Sequence, residues 1–212
     1  MASIDRAMLR PHDLVWGLTP EQLPADAPAW VSETLRERPP VVIRRAPAEP
    51  GWVPVGVRGR GREQRYATWL RLDRLTRKVS PEALARARRW RRHAQPQWPV
   101  LRALGLLQAR LDGCGLCWGP TGSAGFELAS GLPALHPASD LDLLLRTPAP
   151  LGREQARQLL RLLDGMPCPV DVQLETPNGG IALREWASGA ARVLLKGREG
   201  PALVADPWEL AQ

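Results

Sequence analysis

Apolar residues along this chain recur with two different periods, and the changes between them outline its elements. In "PPVVIRRA" (39–46) and "GWVPVGVRG" (51–59), Val and Ile cluster between Pro or Gly, which predicts two strands. "APAWVSETLRER" (27–38) predicts a short helix ahead of them. "SPEALARARRWRRHA" (80–94) offers Ser80 as an N-cap and Pro81 at the first helical position, which predicts a helix start. "PVLRALGLLQARLDG" (99–113) spaces its apolar residues as a helix does and stops at glycine.

From about Cys114 the elements shorten and alternate. "GLCWG" (115–119) reads as a short buried strand, "GSAGFELAS" (122–130) as a helix start and "DLDLLLR" (140–146) as a strand. "GREQARQLLRLLDG" (152–165) predicts an amphipathic helix ended by Gly165, and "PVDVQLET" (169–176) a cleanly alternating strand. A short helix in "IALREWASG" and two strands, "ARVLLKG" and "PALVAD", complete the pattern. This is an α/β or α+β sequence. A boundary between residues 80 and 95 divides it into a smaller mixed α/β domain, 1–85, and a second domain, 86–212.

Composition adds constraints. With 212 residues and 44% hydrophobic content, the chain has enough apolar material to bury a core. No stretch is long and apolar enough to span a bilayer, and "MASIDRAMLRPHDLVW" lacks the apolar run of a signal peptide. A soluble, cytoplasmic protein is expected. The net charge of +7 is local: thirteen Lys/Arg and three Asp/Glu fall between Arg58 and Arg92, and the remainder is slightly acidic. The densest run, "RARRWRRH" (Arg86 to His93), reads as the solvated face of a helix or as a docking surface for an anionic partner. No DNA-binding motif accompanies it, so nucleic acid is not the expected partner.

Cys114 and Cys117 form a C-x-x-C, but only Cys168 and three scattered histidines are left to complete a zinc site. Both read better as small apolar fillers, and three cysteines do not make a disulfide framework.

The chemistry lies between Gly119 and Lys196. In a strand, Asp140 and Asp142 point to one side and Leu141 and Leu143 to the other, with the two Asp Cα atoms roughly 6.6 Å apart. Two carboxylates that close repel unless a divalent cation relieves them, and magnesium suits a site of one or two carboxylates completed by water and phosphate oxygens. Alone, D-x-D equally decorates the wet face of an edge strand. Upstream, "GPTGSAG" lets backbone amides approach an anion closely; with Ser123 capping the following helix, Gly122, Ser123 and the first turn form a phosphate site. The alternative is a tight strand-to-helix turn. Asp171 in "VDVQLE" offers a third ligand or a base, or a surface acid paired with an arginine. Lys196 ends a strand where it can meet a phosphate charge, or simply snorkel.

In order, Gly122–Ser123, Asp140, Asp142 and Asp171 resemble the nucleotidyltransferase superfamily. The sixteen residues between Ser123 and Asp140 exceed that superfamily's usual interval and place "ASGLPALHPAS" as a loop beside the site. A closer resemblance covers Arg10 to Trp208. "RPHDLVW", "PVGVRGRGREQRYATWL", "WGPTGSAGFELASG", "SDLDLLLR", "VDVQLETP", "ALREWA" and "DPW" are similar to the phosphoribosyl-dephospho-CoA transferases, the holo-acyl-carrier-protein synthases of malonate decarboxylase. The resemblance implies a nucleotidyltransferase-like mixed sheet with flanking helices behind the smaller N-terminal domain. It also implies transfer of the phosphoribosyl-dephospho-CoA group from triphosphoribosyl-dephospho-CoA to a serine of the acyl-carrier subunit, with release of diphosphate. Asp140 and Asp142 are the expected catalytic residues and ligands of Mg2+ or Mn2+. Asp171 is the third acid, and Gly122, Ser123 and Lys196 hold phosphates. Carrier proteins are usually acidic, so Arg86 to Arg92 becomes a candidate docking face. The competing readings are another metal-dependent nucleotidyltransferase, acting on a small molecule, RNA or protein, and a basic adaptor without catalysis.

Overall fold

A computed structural model describes residues 6–61 and 63–209. It has mixed α and β content arranged around two sheets. The first comprises β1 (Leu14–Trp16), β2 (Val41–Ile43), β3 (Trp52–Arg58), β4 (Arg65–Arg71) and β5 (Arg77–Val79), antiparallel throughout in the order β4-β3-β2-β1-β5. Helix α1 (Ala29–Arg36) closes one face, where Val31 and Leu35 pack with Val15, Val41, Val55 and Leu70. Alternation sends Leu14, Val42 and Val79 to the opposite face, where they join the core of the second unit.

That second unit contains α2 (Pro81–Ala87), α3 (Pro99–Asp112), β6 (Cys117–Pro120), α4 (Gly122–Ser130), β7 (Leu141–Arg146) and α5 (Arg153–Arg161). It continues through β8 (Val170–Thr176), β9 (Gly179–Ala182), α6 (Leu183–Ala187), β10 (Val193–Lys196) and β11 (Pro201–Val204). The sheet order is β11-β10-β9-β8-β7-β6. Among the described residues only β7 and β8 pair in parallel, joined by the crossover helix that such a pair requires, here α5. Leu141, Leu143, Leu145, Val172 and Leu174 face the core with Leu104, Leu107 and Leu111 of α3.

The predicted helices and strands after residue 98 are present, although α5 ends at Arg161 and turns carry the chain to Gly165. Strands β1, β4, β5 and β9 carried no prediction. The basic run differs from its expectation. Ser80 does cap α2, its hydroxyl accepting from Ala83 N at 3.2 Å, but the helix stops at Arg88, whose φ is +52°. Arg89–Arg92 then form a separate 3-10 turn that buries Trp90. Arg88 pairs with Asp112, Arg89 donates to the Leu128 carbonyl and Arg91 to Gln108, so much of this charge stitches the second unit together. Cys117 is exposed rather than an apolar filler, because the strand begins there with its side chain outward; Cys114, Cys117 and Cys168 are all free thiols.

The two sheets meet across a charged seam. Helix α2, which runs through residues 85 and 86, packs on β6 so tightly that a Cβ on Gly119 would collide with the Pro81 carbonyl. Its buried Glu82 accepts from Arg146 Nε of β7 at 2.7 Å. Arg146 also reaches the Pro11 carbonyl at 3.1 Å, and Arg45 forms a two-pronged ion pair with Glu175 of β8. Among the described residues, no helix is long and apolar enough to cross a membrane.

Candidate active site

Asp142 and Asp171 are register partners on the parallel strands β7 and β8. Partners of this kind share a face, so the two carboxylates stand side by side while Leu141, Leu143, Val170 and Val172 point into the core. Asp171 is exposed and Asp142 partly buried. Asp140 lies one residue before β7, close enough to Cys168 that burial, aided by the Asp140 charge, pushes that thiol's pKa up.

The glycine turn is fitted to Asp142. Thr121 N donates to the Asp142 carbonyl at 2.9 Å, tying the start of α4 to β7. Gly122 follows with φ +57°, and a Cβ there would collide with the Asp142 carboxylate. Glycine is therefore required on two counts, backbone conformation and space. The N-cap position belongs to Thr121, not to Ser123 as the sequence suggested, because the helix begins at Gly122, two residues before the Ala124 start that a Ser123 cap would give. Ser123 instead accepts a 2.6 Å hydrogen bond from Arg58 Nη2, which arrives from the end of β3.

Gly122, Asp142, Asp171, Arg184, Lys196 and His12 line a cavity of about 560 Å³. Asp140 and Ser123 stand outside its wall. The structure thus brings together Asp142, Asp171, Gly122 and Lys196, with Ser123 and Asp140 adjoining in sequence. The loop 131–140 is anchored beside the turn: the Glu127 carboxylate accepts from Ala134 N at 2.6 Å and Leu135 N at 2.7 Å, and meets His93 Nε2 at 2.7 Å.

His12 and Arg58 carried no role in the sequence reading. His12 has φ +72°, and its Nε2 accepts from Arg45 Nη2 at 3.1 Å and from the Gln173 amide at 2.8 Å. Those two donors leave the ring proton on Nδ1. Burial, and the charges of Arg45, Arg146 and Lys196, hold its pKa down at about 3, so the imidazole is neutral. The signal for both residues was present only as membership of "RPHDLVW" and "PVGVRG", since no local spacing links them to the aspartates.

Among the described residues, no cluster of three His, Cys, Asp or Glu side chains forms a metal site. The paired carboxylates of Asp142 and Asp171 nevertheless suit a hard divalent cation, which takes one or two carboxylates and completes its shell with water and phosphate oxygens. Lys196 lines the same wall.

The chain resembles known proteins along nearly all of its length. The family model for the phosphoribosyl-dephospho-CoA transferase MdcG N-terminal domain matches residues 10–81, and that for the MdcG C-terminal domain matches residues 83–207. A phosphoribosyl-dephospho-CoA transferase of Pseudomonas putida is 55% identical over 203 residues, covering 96% of this chain and 97% of the relative. Relatives of the same name from Pseudomonas aeruginosa and Azotobacter vinelandii are 54% and 53% identical over 207 residues each. They cover 98% and 96% of this chain, and 97% and 96% of their own lengths. No solved structure matches the chain. Two family models that share the chain between them, and relatives more than half identical along nearly all of it, establish that the chain belongs to the phosphoribosyl-dephospho-CoA transferase family and is a transferase.

Proposed function

We propose that this transferase moves the phosphoribosyl-dephospho-CoA group of triphosphoribosyl-dephospho-CoA onto a serine of the acyl-carrier subunit of malonate decarboxylase, releasing diphosphate. The observation that carries the reading is the Asp142–Asp171 pair with Gly122 closed against Asp142. A glycine turn at a helix start beside two carboxylates suits a phosphate chain and its counter-ion.

In this reaction the serine oxygen forms a bond to the α-phosphorus, and the bond from that phosphorus to the bridging oxygen of the leaving diphosphate breaks. Asp142, with Asp140 two residues ahead of it, would hold Mg2+ or Mn2+, which when bound would supply positive charge to neutralise the phosphates. Asp171, the exposed member of the pair, takes the serine proton at its carboxylate. Gly122 and Ser123 present the first turn of α4 to the β- and γ-phosphates, and Lys196 balances their charge across the cavity. Exposed Arg86 and Arg92 offer positive charge to an acidic carrier.

Incubating the protein with apo-carrier, triphosphoribosyl-dephospho-CoA and magnesium tests the reading through the carrier's mass. The carrier should gain one phosphoribosyl-dephospho-CoA, and Asp142→Asn should abolish the gain. An unmodified carrier, or turnover with ordinary nucleoside triphosphates in its place, overturns it.

A further inference from the structure

The first sheet turns one residue from each of its five strands toward the second unit. Ala67 pairs with Gly56, Gly56 with Val42, Val42 with Leu14, and Leu14 with Val79. All five line a second cavity, of about 530 Å³, roofed by Pro81 and Leu84 of α2 and by Pro120, Gly125 and Phe126 around the start of α4. A core-facing row across a sheet is ordinarily filled by branched side chains. Here it thins to Gly and Ala at β3 and β4, and Ala67 remains exposed, so the floor stays flat and open. Arg44, Arg58, Arg65 and Tyr66 stand among its walls. The cavity shares His12, Thr121 and Gly122 with the one that holds Asp142, so the two are neighbouring compartments beside the glycine turn.

We propose that this second cavity seats the adenine ring of the donor's dephospho-CoA part. The ring lies on the Gly56–Ala67 floor beneath Phe126, and the wall arginines meet the diphosphate that joins adenosine to pantetheine. The triphosphate arm continues past Gly122 toward Asp142. A flat apolar slot flanked by guanidinium groups matches a purine carrying anionic groups, since the ring needs dry contact and its phosphates need cations. The volume falls within the range of about 300–1,000 Å³ usual for ligand sites. Arg58 belongs to both compartments, lining this cavity while donating to Ser123. The assignment rests on the donor named above and adds which half of the chain recognises it.

The test uses dephospho-CoA alone, titrated calorimetrically into the full chain. The wild-type protein should bind it, and Ala67→Leu, which fills the floor from an exposed position, should weaken binding roughly ten-fold or more. Ala67→Leu should also raise KM for the triphosphoribosyl donor far more than it lowers kcat. Arg44→Ala, which removes a wall guanidinium, should weaken dephospho-CoA more than adenosine. No binding by the wild-type protein, or unchanged affinity in Ala67→Leu and Arg44→Ala, overturns the assignment. A protein that binds dephospho-CoA in this pattern yet modifies no carrier upholds the cavity assignment and overturns the proposed reaction instead.

Discussion

Arg58, the last residue of β3, donates to the hydroxyl of Ser123, the second residue of α4, at 2.6 Å. The N-terminal sheet thereby places a guanidinium beside the turn that carries Gly122. Arg58→Ala should lower kcat/KM for the donor about 10- to 100-fold, the range expected from losing a charged hydrogen-bond donor. The melting temperature should change little, and steady-state kinetics beside a thermal melt separates the two effects.

Asp142→Asn should reduce transfer by roughly 100- to 1,000-fold or more, as removing a group that stabilises the transition state does. Its stability should hold or rise, because the substitution relieves repulsion with its register partner Asp171. A variant that is both fully folded and fully active would remove Asp142 from the chemistry.

Gly122→Ala meets two obstacles, a positive φ and the Asp142 carboxylate. Gly165→Ala shares the positive φ but would place its Cβ in open space, so it isolates the backbone cost, about 1 kcal/mol. Gly122→Ala should cost more than Gly165→Ala in urea unfolding, and it alone should depress transfer.

His12 produces a pH effect whose sign follows from its lowered pKa. With the folded value at about 3 and the unfolded value near 6.5, the unfolded chain binds the extra proton between them. Stability attributable to His12 is therefore full above pH 6.5 and falls as the pH drops toward 3, by about 1.4 kcal/mol per pH unit in between. His12→Asn keeps a residue tolerant of positive φ and should flatten that slope. Urea titrations of both proteins from pH 7 to pH 4 measure the difference.

Arg146→Met should destabilise by about 3 kcal/mol, the lower end for breaking a buried pair, because it removes the guanidinium shared by Glu82 and Asp13 and leaves them only Arg10 and Lys78, each at 3.6 Å. Glu82→Gln combined with Arg146→Met should recover part of the loss, a coupling that a double-mutant cycle reads directly.

What was legible in the sequence divides along a physical line. The start of α2, helices α3 to α5 and strands β7 and β8 carry their own periodicity or caps, so local patterning sufficed to place them. The missed strands lacked that independence. β1 and β5 are three residues each, and β4, "RYATWLR", buries only Thr68 and Leu70. β9 begins with two glycines, which pair there because Glu175 and Thr176 lie opposite them. The candidate site was legible where it is local, at Gly122, Asp142 and Asp171. His12 and Arg58 lie 161 and 65 residues from the partners they meet, Gln173 and Ser123, and only the folded chain brings them there. The Arg-rich run misled for a related reason. Three of its arginines, Arg88, Arg89 and Arg91, meet Asp112, the Leu128 carbonyl and Gln108, contacts that no spacing within the run announces.

The charged seam has a consequence for how the molecule exists at all. Asp13 and Arg45 on one side and Arg146 and Glu175 on the other are ionic groups sunk between the two sheets, paired across the seam as Asp13–Arg146 and Arg45–Glu175. Severing the halves would hand each fragment bare charges on a surface shaped for burial, so folding and binding capacity should appear together or not at all. Homologous N-terminal halves are then not interchangeable cassettes. A swap inherits the partner's salt-bridge grammar along with its pocket, and a chimera that ignores it fails before any substrate arrives.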